Sequence, residues 1–231
     1  MPALAEPAAR IADLSHPIGA GLVTYPGLPA PEITPFLTRE DSRGKYAPGT
    51  EFAMDVITMI GNTGTYLDSP FHRYGDGVDL AGLDLATLVD LPTEVFHLDA
   101  LISPARRAIT ADLVSGRDVR GAAVLLHTGW DRLFGAEEYG HGAPFLAGEA
   151  AQALIDGGAV LVGIDSVNID DTESGGERPA HSSLLGAGCS LSPTTSPGSG
   201  NCPSAAHASP LPSRRRGLRT FPVRAFARVS A

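Results

Sequence analysis

The chain has 231 residues, 43% of them hydrophobic and 19% charged, with a formal net charge of −9 at pH 7. That length suits one larger domain with a substantial core, and the acidic balance excludes the basic surface that nucleic acid or an anionic membrane would require. No run of about 18 apolar residues is present to span a bilayer. Met1 to Pro7 lacks the basic region and apolar core of a secretory signal, so a cytoplasmic protein is expected. Cys189 and Cys202 make neither a disulfide framework nor a zinc knuckle.

In chain order, Ile11 to Leu14 and Phe52 to Ile60 read as strands, the second with apolar Phe52, Met54 and Val56 in alternation. Asn62 to His72 follows. In an extended run its even positions share a face, so Asn62, Tyr66, Asp68 and His72 would converge. Gly64 admits a close neighbour, and Pro70 ends the ladder near a rim. Leu80 to Leu91 places Leu83, Leu85, Leu88 and Val89 at helix-like offsets, with Asp84 near a start. Val95 to Leu98 reads as strand, with His97 packed in it. Ala122 to Leu126 and Val160 to Ile164 are continuous apolar runs, the pattern of strands buried on both faces. Between them Leu146, Ala150, Ala153 and Leu154 recur at i, i+4, i+7 and i+8, and Gly157-Gly158 supplies a stop. Strand, helix, strand gives an α/β domain with a mixed sheet and no internal repeat. From Ser190 to Arg216 the chain turns rich in Ser and Pro, ends in a basic triplet, and holds no acidic residue; Glu177 is the last in the protein. Such a stretch buries too little apolar surface to offset its ordering entropy.

Asn62-Thr63-Gly64-Thr65-Tyr66-Leu67-Asp68-Ser69-Pro70-Phe71-His72 resembles the cyclase family that includes bacterial kynurenine formamidases, whose motif reads His-x-Gly-Thr-His-x-Asp-x-Pro-x-His. Gly64, Thr65, Asp68, Pro70 and His72 match, while Asn62 and Tyr66 stand where the family has histidines. The likeness extends to Asp13-Leu14-Ser15, Tyr25-Pro26-Gly27, the strand into Thr128-Gly129-Trp130, Val162 to Asp170, and Pro179-Ala180-His181, roughly residues 11 to 188. Thr220 to Val229 resembles the family's closing strand. The resemblance implies a swivelling β/β/α fold, with residues 1–188 as the cyclase-like domain, 189–217 a low-complexity segment, and 218–231 the closing strand of the same domain.

It also implies chemistry. His72 falls at the family's acid/base position, and a neutral imidazole both takes and gives a proton. Asp68 matches a metal ligand, and His181 matches a later ligand delivered by a strand and loop. Two ligands fall short of the three that catalytic zinc usually takes. Asn62 offers only a neutral carbonyl, and Tyr66 would have to lose a proton of reference pKa about 10. Weakly held manganese, zinc or magnesium, or no metal, is therefore expected. Tyr25, Asn62, Tyr66 and Trp130 are read as substrate-binding, with core packing the alternative for Trp130. His16 and His127 are placed at the pocket border, and Ser166, Asn168 and Asp170 on one face beneath it. The implied activity is hydrolysis of an amide bond in a small substrate, typically an N-formyl arylamine, as in tryptophan catabolism, by a homo-oligomer. The alternative is a metal-free pocket protein that binds a small ligand without catalysis.

The tail admits two origins. As a hypothesis, Ser190 to Arg216 is a shifted frame: with GC-rich codons the same nucleotides can encode a run carrying the acidic residue that the family uses as a late ligand. The other origin is a true low-complexity insertion. Gene sequencing with intact mass separates them; a frame break is the expected result, and one clean frame at the matching mass excludes it.

Overall fold

The computed structural model describes residues 10–193, 206–208 and 217–229. In chain order these form β1 (Arg10–Asp13), β2 (Glu32–Leu37), α1 (Arg39–Arg43), β3 (Met54–Thr58), β4 (Tyr66–Asp68), β5 (Leu91–His97), β6 (Ala108–Ile109), α2 (Ala111–Val114), β7 (Ala123–His127), β8 (Phe145–Leu146), α3 (Gly148–Asp156), β9 (Leu161–Ile164), α4 (Pro179–Gly186), β10 (Ser190–Pro193), β11 (Ala206–Ala208), β12 (Thr220–Pro222) and β13 (Phe226–Val229). A mixed sheet runs in the order β1-β13-β11-β5-β7-β9-β10-β4-β12. Its centre is parallel, with Thr93, Ala123, Leu161 and Ser190 level across β5, β7, β9 and β10. Parallel neighbours need crossovers, which α3 supplies between β7 and β9 and α4 between β9 and β10. The flanking strands pair antiparallel.

The uninterrupted apolar runs follow from burial on both faces. On one face Val124 and Leu126 of β7 and Val162 and Ile164 of β9 pack with Ala150, Ala151 and Leu154 of α3 and Leu184 and Leu185 of α4. On the other, Ala123 and Leu161 pack with Leu67, Leu88 and Val223, and Leu125 with Val95, Ala225 and Ala227. Alternate side chains of one strand thus feed separate clusters, and a polar residue at any of these positions would be buried. The expected helix over Leu146 to Leu154 begins two residues later, because Leu146 belongs to β8.

Three expectations are corrected. No helix forms over Leu80 to Leu91; a single 3-10 turn spans Leu85–Thr87, with the Asp84 carboxylate accepting from the Ala86 N–H. Leu85 is 59% exposed while Leu80 and Leu88 are buried, so the helix-like stripe is not the set that meets the core. Asp90, at φ 56, then turns the chain into β5. The strand expected over Phe52 to Ile60 shortens to β3, which pairs with β2 outside the main sheet and leaves Phe52, Met54, Val56 and Ile57 exposed. Asn62 to His72 is not one strand: only Tyr66–Asp68 is extended, and Pro70–His72 is a 3-10 turn.

Beyond position 188, Cys189 is buried in the core and β10 continues the sheet between β9 and β4. Most of the low-complexity segment, residues 194–205 and 209–216, lies outside the described residues. No helix among the described residues is long and apolar enough to cross a membrane.

Gly64 needs its lack of a side chain. Its φ is +62, a Cβ there would stand 2.8 Å from Ile18 Cγ1, and its N–H donates to Thr24 Oγ1 at 2.8 Å. Gly19 has open space around it. Gly64→Ala should therefore lower the unfolding free energy by about 1–2 kcal/mol, while Gly19→Ala leaves it nearly unchanged, as urea denaturation midpoints would show.

Candidate active site

The site lies at one end of the sheet, where β4, β9 and the first turn of α4 meet. This is where ligands bind in open α/β sheets, outside the carboxyl ends of parallel strands. A cavity of about 560 Å³ opens here, lined by Tyr25, Asn62, Tyr66, His72, Asn168 and His181, with Arg73 and Arg178 among the residues at its mouth. Asp68, 1% exposed, is the last residue of β4 and lies beneath the cavity beside Tyr66 and His181.

Asp68, His72 and His181 bring one ligand atom each to within 4.8 Å of one another. The Ser69-Pro70 step ends β4, and the following 3-10 turn, closed by His72 N–H donating to Ser69 O at 2.8 Å, swings His72 back over Asp68. Thr220 stands opposite Asp68 in the β12–β4 register. Its hydroxyl is 2.5 Å from Asp68 Oδ1 and 3.0 Å from His72 Nδ1. A carboxylate oxygen only accepts, so the single hydroxyl proton goes to Asp68 and the threonine oxygen accepts from His72 Nδ1–H. That chain fixes the tautomer and leaves the His72 Nε2 lone pair available.

His181 is set by a different anchor. It occupies the first turn of α4, not the loop expected, and Asp170 receives that turn: Oδ1 accepts from Ala180 N–H at 2.7 Å and Oδ2 from His181 N–H at 3.1 Å. Asp170 Oδ2 also lies 2.6 Å from His181 Nδ1. Nε2 is thereby turned toward Asp68 Oδ2, 3.8 Å away. Burial alone would lower the His181 pKa, but Asp170 and Asp68 outweigh it and lift it to about 9. Tyr66 is shifted upward too: burial first, then the Asp68 charge, pushes its phenol far above its ordinary value, so it stays a neutral hydroxyl, bonded to Asn62. It is no phenolate ligand.

Whether these residues suit a divalent cation is decided by Asp68 and His181. Their facing atoms are too far apart for a hydrogen bond and within the span of two ligands on one ion. Carboxylate–histidine pairing on the far nitrogen, as Asp170 provides, is the usual support for a metal-bound imidazole. The donor set fits.

The structure therefore gathers Tyr25, Asn62, Tyr66, Asp68, His72 and His181 in one place, with Asn168 on the wall and Asp170 beneath it. Trp130 does not line the cavity: it packs with Tyr139 and Val167, and its Nε1–H donates to Tyr139 O at 2.9 Å. His16 and His127 do not border the cavity either; His16 stacks on Phe134 and His127 joins a separate cluster with Asp131 and Asp165. Ser166 turns away to donate to Pro144 O. Thr220 was not foreseen, because its role comes from strand pairing across 152 residues of chain. The adjacency of Arg73 to His72 was the one available signal for a guanidinium at the mouth.

The Cyclase family model matches residues 12–171. A kynurenine formamidase of Bacillus cereus is 29% identical over 173 residues, covering 75% of this chain and 76% of its own. Among solved structures, an isatin hydrolase bound to the product analogue thioisatinate superposes with a TM-score of 0.78 at 24% identity, over 97% of this chain and 94% of its own. A protein described as a potential metal-dependent hydrolase with cyclase activity gives 0.76 at 24% identity, over 95% and 98%.

Asp170 offers a direct test. His181 has a folded pKa of about 9 against an ordinary 6.5, so in cation-free protein its ion pair stabilises the fold fully below pH 6.5 and is lost as pH rises through about 9. The melting temperature of chelator-treated protein should fall across that window. Asp170→Asn should flatten the fall and lower stability at pH 6 by about 1.5–3 kcal/mol, the worth of a hydrogen bond to a charged group.

Proposed function

The chain belongs to the cyclase family, and from that membership we propose that it hydrolyses an amide bond in a small aromatic substrate, an N-formyl arylamine of the N-formylkynurenine type, with a corresponding place in tryptophan catabolism. One observation carries the reading: at the floor of a cavity of about 560 Å³, Asp68, His72 and His181 converge, and His72 is held in the tautomer that a general base requires.

The residues divide the work. Tyr25 and Tyr66 present aromatic surface to a planar ring. The neutral Tyr66 hydroxyl and the Asn62 amide provide hydrogen-bonding groups near the scissile carbonyl. His72 Nε2 takes a proton from the attacking water as the C–O bond forms, and returns it to the amine nitrogen as the C–N bond breaks. Thr220 and Asp68 stabilise the imidazolium between these two transfers. Asp68 and His181 would hold a zinc, manganese or magnesium ion. When bound, such an ion supplies Lewis acidity, worth several kcal/mol toward the charge developing on the carbonyl oxygen. Homo-oligomeric assembly in the cytoplasm belongs to the same proposal, and light scattering decides the first of these.

Turnover of N-formylkynurenine, measured with and without added manganese or zinc, tests the assignment. His72→Ala should reduce kcat by about 10²–10⁴-fold, the usual worth of a positioned acid/base, and EDTA should suppress the wild-type rate. Unchanged turnover in His72→Ala removes His72 from the mechanism. Tight substrate binding with no turnover under any metal favours the binding-protein alternative.

A further inference from the structure

Away from the Asp68 cluster, at the ends of β7 and β9, a second group of side chains has no role in the proposed hydrolysis. His127 ends β7, Asp131 lies in the 3-10 turn that follows, and Asp165 comes directly after β9. One ligand atom from each lies within 4.8 Å of the others. Asp131 and Asp165 are 5% and 3% exposed, and among the described residues neither forms an ion pair with a lysine or arginine. Arg132, adjacent in sequence, acts on Asp131 through its charge and its backbone N–H, but its Nε–H donates to Gly129 O at 2.8 Å and makes no ion pair with the carboxylate. Two buried carboxylates this close repel each other and lose hydration, and that arrangement is costly unless something positive compensates it.

The surrounding groups show where compensation is missing. Asp165 accepts from Thr128 N–H, shared between its two oxygens, from Thr128 Oγ1–H and from Gly129 N–H, which orient it but bring no positive charge to it. His127 Nδ1 is buried and has no hydrogen-bond partner. His16, reached from the amino-terminal loop and electrostatically coupled to Asp131, has its Nε2 buried and unpartnered as well. Orphaned imidazole nitrogens beside two buried carboxylates that lack an ion pair with lysine or arginine are the kind of exception that an ion explains.

We propose that His127, Asp131 and Asp165 form a second divalent-cation site, separate from Asp68 and His181, which neutralises the two buried carboxylates and ties the end of β7 to the end of β9. One imidazole and two carboxylates suit a borderline cation such as zinc or manganese, and the absence of thiolate from the set disfavours soft ions. The hydrogen bonds that Asp165 accepts from the Thr128-Gly129 turn are the outer support that ligating carboxylates usually have. The site is structural. It fixes the turn from which Trp130 packs against Tyr139, and it does not depend on the hydrolase reading.

Zinc chloride alone is the probe, added to chelator-stripped full-length protein and followed by equilibrium dialysis with metal analysis. Wild-type protein should retain an ion in each of the two clusters. Asp131→Asn and His127→Gln should each lose one ion per chain, whereas the Asp68→Asn/His181→Gln double variant should keep the second one and its zinc-dependent rise in melting temperature. Wild-type stoichiometry in Asp131→Asn overturns the proposal, as does complete loss of zinc in the double variant with its fold intact. Should the variants fail to fold, an anomalous difference map at the zinc edge on wild-type crystals decides: a peak among the three side chains upholds the site, and its absence at saturating zinc overturns it.

Discussion

Asp170 receives the first two free N–H groups of α4 on one side and the His181 imidazole on the other, and its side chain is fully buried. A helix of eight residues is marginal by itself, so its start depends on what it is tied to. An anion at the helix N-terminus is favoured by the helix dipole as well as by the hydrogen bonds. Because the same carboxylate orients both the helix and its histidine, His181 Nε2 is aimed by the fold and not by its own rotamer preference. The polar floor of the cavity depends on that.

The other half of the floor is built by strand pairing. Thr220 meets Asp68 because β12 lies antiparallel to β4, and Gly61 lets the Thr220 carbonyl approach where any Cβ would collide with it. His72 then completes the chain from above. Two polar chains of similar logic therefore converge, Asp170 to His181 and Asp68 through Thr220 to His72. Each takes one nitrogen of a histidine, which leaves the His72 Nε2 lone pair available and turns His181 Nε2 toward Asp68. The substitutions at Asn62 and Tyr66 leave this intact. They replace two imidazoles by an amide and a buried phenol that bond to each other, which keeps the wall closed and polar while removing two basic nitrogens.

The central strands were legible in the sequence because burial on both faces demands unbroken apolar runs, and Ala122 to Leu126 and Val160 to Ile164 have no other use. The catalytic candidates were legible through the motif, where Pro70 and His72 keep their spacing. What was not legible depended on long-range choices. The apolar residues from Leu80 to Leu91 fit a helix by spacing, yet Leu88 packs with Leu67 and Val223 while Leu85 faces solvent, a division set by the sheet and not by the segment itself. Trp130 was expected at the cavity because it is aromatic and follows a strand. Its indole N–H instead satisfies a carbonyl in the neighbouring aromatic cluster. Thr220 carried no local signal at all, since a threonine in a strand is ordinary until its partner strand is known.

The pairing of the last strands with the first ones also bears on how the protein is made. β13 pairs with β1, and β12 brings Thr220 to Asp68, so strands about 150 to 220 residues apart in the chain meet in the finished sheet. During synthesis the amino-terminal strand and the motif leave the ribosome long before either partner exists. For that interval the Asp68 carboxylate lacks the hydroxyl that connects it to His72, and the edge of β4 is uncovered. The nascent chain is therefore without a finished candidate site until the segment carrying Thr220 has emerged, which makes the arrival of that late strand the step that completes it.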